Sequence, residues 1–200
     1  MNVPRLILAS ASPRRQQLLR DAGYEFTVAP ASIDEDAAPP NLRPGDLAEY
    51  LARCKAEVAA ARFPEDVVLA ADTVVAYAQT VLGKPKDPAD AARMLDLLSG
   101  TAHTVITGVA VVRAAANFAR HTRIMSAVHM RKLTEEEIAR YVASNQWQGK
   151  AGGYGIQDPD PFVTRTSGCL TNIVGLPMHT TAELLRDAGI VPRSGSAAVT

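Results

Sequence analysis

The chain is short of several things, and each shortage excludes something. Only two of its 200 residues are cysteines, Cys54 and Cys169, too few for a disulfide framework and suited to a reducing compartment. Aromatic residues make up 5% of the sequence, which argues against a stacking platform for single-stranded nucleic acid. Neither sign of charge is in excess, with Lys plus Arg and Asp plus Glu at 21 each, so no global field points to a nucleic-acid polymer or a membrane surface. Any anion site must be local. No apolar run reaches the length of a membrane span, and the opening stretch Met1 to Ala9 is too short for a signal peptide. The expected compartment is the cytoplasm. Familiar catalytic signatures are also missing: there is no G-x-S-x-G elbow, no C-x-x-C pair and no G-x-x-x-x-G-K-[ST] phosphate loop. His103, His121, His129 and His179 share no ligand spacing and read as core or surface residues.

What is present begins with Val67 to Tyr77, an apolar, β-branched run that reads as a strand buried on both faces. Asp72-Thr73 interrupts it once, and a buried carboxylate is costly unless it is paired, hydrogen-bonded or used. Upstream, the short apolar run Leu6 to Ala9 leads into Ser10-Ala11-Ser12-Pro13-Arg14-Arg15. Ser12 is a natural N-cap and Pro13 suits the first helical position, with Gly23 as the stop. Two arginines in a first turn oppose the helix dipole, an unfavourable placement of about 0.3–1 kcal/mol each. Free amides, serines and two guanidinium groups at a helix start make an anion site, most naturally for phosphate.

The remaining segments supply further charges. Asp34-Glu35-Asp36 is either a solvated turn or a holder of a divalent cation. Asp46 to Arg62 is expected to be a helix with Leu47, Leu51, Cys54 and Val58 on its apolar stripe and Lys55 at the stripe's edge. A hairpin return near Gln79-Thr80 brings in Lys84 and Lys86. Helices are expected after Asp87-Pro88, after the capping box Thr134 to Glu137, and over Thr180 to Ala188. Further strands are expected at Glu25 to Pro30, His103 to Val112, Thr122 to Met130 and Phe162 to Arg165. Trp147 to Gln157 is a loop with four glycines, which let backbone approach a ligand, and Lys150 and Gln157 are available contacts. The hexapeptide Leu-Leu-Arg-Asp-Ala-Gly occurs twice, at 18–23 and 184–189, as one way of ending a helix rather than a repeat. Interleaved strands and helices indicate an α/β domain over 1–192, followed by a flexible tail at 193–200.

Taken in order, Leu8 to Arg15, Ala71 to Val75, Leu82 to Pro85, Leu98-Ser99-Gly100 to Thr107-Gly108, Lys150 to Gln157 and Asn172 to Pro177 make the chain resemble the Maf family of nucleoside triphosphate pyrophosphatases. The resemblance covers roughly Leu6 to Leu185. It implies a mixed twisted sheet flanked by helices, with two lobes around a deep nucleotide cleft in the manner of inosine triphosphatases. It also implies cleavage between the α- and β-phosphates of a nucleoside triphosphate, dependence on Mg²⁺ or Mn²⁺, and frequent dimerisation. By the same resemblance Asp72 is the proton acceptor, as general base or as metal ligand. Ser10, Arg14, Arg15, Lys55 and Lys84 bind phosphate, and Glu35 lies near the metal. Arg14, Thr73 and Gln157 match specificity positions. The form Tyr154-Gly155-Ile156-Gln157 is similar to that of members acting on dTTP and UTP. Rival readings are a 7-methyl-GTP pyrophosphatase and a nucleotide-binding regulator of septum formation. Asn145-Gln146 and Asp158 depart from the family pattern, which often has glutamate and glycine there.

Overall fold

The computed structural model describes residues 4–159 and 162–193, so the expected tail lies outside the described residues except for Arg193. The elements run β1 (Leu6–Leu8), α1 (Pro13–Asp21), β2 (Thr27–Val28), α2 (Pro44–Arg62), β3 (Val67–Tyr77), β4 (Thr80–Leu82), α3 (Pro88–Leu98), β5 (Ala102–Arg113), β6 (Phe118–Met130), α4 (Glu135–Ala143), β7 (Val163–Ser167), α5 (Leu170–Val174) and α6 (Met178–Asp187). Short 3-10 turns occupy Glu35–Ala37, Ala114–Ala116 and Ala151–Gly153. The seven strands form one mixed sheet in the order β2-β1-β3-β5-β6-β7, with β4 on β3. β1 runs parallel to both β2 and β3, and all other pairings are antiparallel.

β3 is the strand on which the rest depends. Along one edge it pairs with β5 from Val68 to Ala76. The other edge is shared: β1 takes Val67 to Leu69, and β4 takes Val75 to Tyr77. Between them, Ala70 to Val74 have no strand partner on that edge among the described residues. Asp72 and Thr73 sit in this bare span and, as strand neighbours, point to opposite faces.

Two cores lie on either side of it. Leu6, Leu8, Val67, Leu69, Val109 and Val111 pack with Leu19 of α1 and Leu185 of α6. Val75, Leu82, Val105, Val128 and Met130 pack with Leu95 of α3, Ile138 of α4, Trp147 and Tyr154. Each buried Leu or Val of this kind contributes about 1.5–3 kcal/mol. The two hexapeptides end α1 and α6 alike: Tyr24 N bonds Leu19 O, Ile190 N bonds Leu185 O, and Gly23 and Gly189 take left-handed φ of 77° and 84°.

The opposite face of the sheet is covered by α2, and of the expected stripe only Leu51 is buried. The helix buries Gly45, Ala48, Leu51, Ala52, Ala56, Ala59 and Ala60, while Val58 is 43% exposed and Leu47 and Cys54 are half-buried. The cause is close approach to the sheet. A Cβ on Gly108 of β5 would lie 2.2 Å from the carbonyl oxygen of Ala48. A helix seated that closely needs alanines beneath it, so the larger residues turn away. Other boundaries moved less. The strand expected over Glu25 to Pro30 is only Thr27–Val28, β6 starts at Phe118 rather than Thr122, and α5 was not anticipated. No helix among the described residues is long and apolar enough to cross a membrane.

Candidate active site

The bare span of β3 opens into a cleft of about 560 Å³ between the two cores. The nine residues that the family resemblance assigns to the site all line it: Ser10, Arg14, Arg15, Glu35, Lys55, Asp72, Thr73, Lys84 and Gln157. Lys150 and Asp158 complete the charged lining. Lys86 is not part of it.

On the α2 side, Lys55 reaches the strand instead of water. Its Nζ donates to Asp72 Oδ1 at 2.6 Å and to Glu35 Oε1 at 2.7 Å, with the side chains of Lys55 and Asp72 only 12% and 11% exposed. Burial would lower the Lys55 pKa, but the two carboxylates outweigh it and hold the ammonium above its ordinary value. Burial likewise opposes ionisation of Glu35, yet the hydrogen bond and charge of Lys55, with Lys84 and Arg15, hold its carboxyl below the usual range. Asp72 Oδ2 and Glu35 Oε2 have no hydrogen-bond partner among the described residues.

On the other face, α1 begins as the sequence dictates, with Ser12 as N-cap and Pro13 in the first turn. Arg15 projects inward from that turn and makes three hydrogen bonds, which leaves two of its five N–H donors for a ligand. Its Nε donates to Gly175 O at 2.8 Å, Nη1 to Ser10 Oγ at 3.1 Å and Nη2 to Thr73 Oγ1 at 3.0 Å. Burial pushes its pKa down, partly offset by Asp72. Thr107 Oγ1 donates to Asn172 O at 3.1 Å, so the 2.9 Å contact between the two threonines must run from Thr73 to Thr107. Thr73 therefore donates into the core and presents acceptor capacity elsewhere. Asn172 is fully buried and clamps the next layer, donating from Nδ2 to Val105 O at 3.0 Å and Ser126 Oγ at 2.9 Å. Arg14 is held more lightly, by one bond from Nη2 to Gly149 O at 3.3 Å.

Thr107, Asn172 and Asp158 were not singled out as functional from sequence. Thr107-Gly108 does interrupt the apolar run of β5 as Asp72-Thr73 interrupts β3, and the two pairs are in register, Asp72 opposite Gly108 and Thr73 opposite Thr107. That parallel interruption was the available signal. Nothing in the five-residue α5, whose first residue Leu170 is exposed, marks Asn172 as a clamp.

A metal fits this cleft only in one way. No group of three or more His, Cys, Asp or Glu side chains that could hold an ion occurs among the described residues. Asp72 and Glu35, each with an unpartnered hard oxygen, suit a cation of the Mg²⁺ kind that takes one or two carboxylates and completes its shell with substrate phosphates and water.

An α/β cleft with one buried acid, an anchored arginine and further lysines and arginines around it defines a protein that handles phosphate anhydrides. The chain belongs to the Maf family: the model of the Maf-like protein matches residues 5–188. It is 51% identical over 186 residues to the dTTP/UTP pyrophosphatase of Hyphomonas neptunium, covering 92% of this chain and 95% of that one. It is 47% identical over 190 residues to the same-named protein of Cereibacter sphaeroides, covering 92% and 95%. With that of Pelotomaculum thermopropionicum it shares 43% over 185 residues, covering 92% and 96%. A weaker likeness of shape, TM-score 0.45 at 17% identity over 64% of this chain and 75% of the other, links it to a nucleoside-triphosphatase / dITP/XTP pyrophosphatase from Mycobacterium abscessus, too distant to carry an argument.

Proposed function

We propose that this chain hydrolyses dTTP and UTP to the monophosphate and pyrophosphate. The observation that carries the reading is the setting of Asp72. It is the buried carboxylate at the bare span of β3, in a cleft lined by Arg14, Arg15, Lys55, Lys84 and Lys150. A pure binding protein would need the cations and not a carboxylate that repels the ligand. The activity named for the relatives from Hyphomonas, Cereibacter and Pelotomaculum supports the choice of nucleotide.

In the proposed reaction a water oxygen attacks the α-phosphorus. The bond from that phosphorus to the bridging oxygen of the β-phosphate breaks, and its electron pair leaves with pyrophosphate. The water proton passes to the Asp72 carboxylate. Arg14, Arg15 and Lys84 hold the phosphates and neutralise charge growing on the leaving group. Ser10 and Thr73 orient Arg15, and Lys55 holds Asp72 in place through its hydrogen bond to Oδ1. Glu35 and Asp72 are the residues that would hold Mg²⁺ or Mn²⁺, which when bound supplies Lewis-acid polarisation of phosphate oxygens.

The test is a panel of nucleoside triphosphates, including 7-methyl-GTP, with Mg²⁺ or Mn²⁺, followed by pyrophosphate release. Release is expected to be fastest from dTTP and UTP. No release from any triphosphate would end the enzymatic reading, and preference for 7-methyl-GTP would reassign the substrate.

A further inference from the structure

Asp158 has a larger role than its place after Gln157 suggests. Its Oδ2 accepts from Gly155 N at 2.8 Å and from Tyr141 Oη at 2.5 Å, and its Oδ1 binds the ammonium of Lys150. Its own N–H donates back to Gly155 O at 3.2 Å. Residues 155–158 are thus closed from both sides into a turn, with Ile156 and Gln157 at its tip. Gln157 is exposed, lines the cleft and has no hydrogen-bond partner among the described residues. Tyr141 anchors the turn to α4, since its ring is buried and packs edge-on against Phe162 with centroids 4.9 Å apart. The clasp is also tight: a Cβ on Gly155 would lie 2.8 Å from Asp158 Oδ1 and 3.0 Å from Lys150 Nζ. Lys150 and Asp158 are 13% and 12% exposed, so the lysine's charge is matched within the clasp rather than held ready for phosphate.

We infer that Asp158, with Lys150 and Tyr141, is a positioning residue that fixes the turn presenting Gln157 to the nucleotide. The inference rests on the nucleotide-hydrolysis reading above. A glutamine on a glycine-rich loop would otherwise have to be ordered when ligand binds, and ordering it beforehand strengthens binding without any new contact. The clasp acts through Gln157 and touches neither the phosphates nor the attacked phosphorus.

The experiment uses the full chain and two readouts, KM for dTTP and the dissociation constant of its non-hydrolysable α,β-imido analogue. Asp158→Asn is expected to raise both about tenfold, the scale of one lost ligand hydrogen bond, with the loss in KM rather than kcat. Gln157→Ala should raise both similarly, and Asp158→Asn added to Gln157→Ala should raise them no further, because the two act as one unit. Additive losses would make Asp158 a general structural residue and overturn the inference, as would unchanged values in the single variant. Should Asp158→Asn fail to fold, Tyr141→Phe keeps the charge pair, removes one clasp bond and is expected to shift both constants the same way by a smaller factor; no shift again overturns it. If the unaltered protein binds the analogue but releases no pyrophosphate from any triphosphate, the hydrolysis reading fails and the clasp is still decided by the dissociation constants. If it does not bind the analogue at all, both fall.

Discussion

Lys55 stands between Asp72 and Glu35, with its ammonium 2.6 Å from one carboxylate and 2.7 Å from the other. The arrangement makes the lysine the counter-charge for a buried acid that has no other cation so close among the described residues. Lys55→Met keeps the length of the side chain and removes the charge. Asp72 is then left buried and uncompensated, which costs about 3 kcal/mol where a buried partner is deleted. A lowered thermal midpoint and loss of nearly all pyrophosphate release are expected, measured by calorimetry and turnover on the same preparation.

Asp72→Asn removes the proton acceptor and leaves the shape of the cleft. Pyrophosphate release is expected to fall by about 10²–10⁴-fold, the usual contribution of a positioned general base. The dissociation constant for the α,β-imido analogue should stay within a few-fold. Turnover close to that of the unaltered protein would remove Asp72 from its role.

Arg15 distributes three hydrogen bonds from one planar group to Ser10, Thr73 and Gly175. A lysine keeps the charge but has no fork that meets all three at once. Arg15→Lys is therefore expected to behave nearly as badly as Arg15→Ala, with KM for dTTP raised about tenfold or more. Recovery by lysine would mean that charge alone matters at this position.

Gly108→Ala tests the seat of α2. The added Cβ would meet the backbone of Ala48 and Glu49 at 2.2 to 2.6 Å, and backbone cannot swing aside as a side chain can. Overpacking of this kind costs about 1–3 kcal/mol, and pushing α2 outward carries Lys55 away from Asp72. Stability by denaturant titration and turnover should fall together.

His103 sets a pH dependence of stability. It is buried, bonds Tyr154 Oη through Nε2 at 2.6 Å, and desolvation lowers its pKa to about 4. An unfolded histidine titrates near its ordinary value of 6.5, so between these values the unfolded chain binds the proton. The contribution is complete above 6.5 and is lost as pH falls through that window toward 4. Its full size is on the order of 3 kcal/mol. His103→Gln should show a smaller drop in thermal midpoint between pH 7 and pH 4.5 than the unaltered protein, measured at equal ionic strength.

The parts legible in sequence were those whose local chemistry dictates one conformation. The apolar run at Val67–Tyr77, the Ser12-Pro13 cap and the Thr134–Glu137 capping box all form as read. Asp72, Arg14 and Arg15 were also legible, because an acid in an apolar strand and arginines at a helix start are locally unfavourable and needed a reason, whereas the other site residues were assigned only by the family resemblance. The face of α2 was not. Apolar periodicity favoured Leu47, Leu51, Cys54 and Val58, but the winning face was decided by the distance to Gly108, a tertiary quantity. The Arg15–Thr73–Thr107–Asn172 chain escaped for the same reason: its members lie up to 157 positions apart and meet only where α1, β3, β5 and α5 come together in the fold. Asp158 was visible as a departure, yet its partner Tyr141 belongs to another element.

The edge of β3 left unpaired between β1 and β4 also works as a ruler. α1 follows β1 directly, and Lys84 follows β4, so the separation of the two cationic groups is counted out along one strand. Leu69 to Val75 is six steps, roughly 20 Å at the usual rise per residue. Parity matters as much as length. Inserting one residue before Asp72 would turn the acid toward Arg15 and its following hydroxyl toward Lys55, because each added residue exchanges the two faces. The span can lengthen or shorten only in pairs if acid and hydroxyl are to keep their partners.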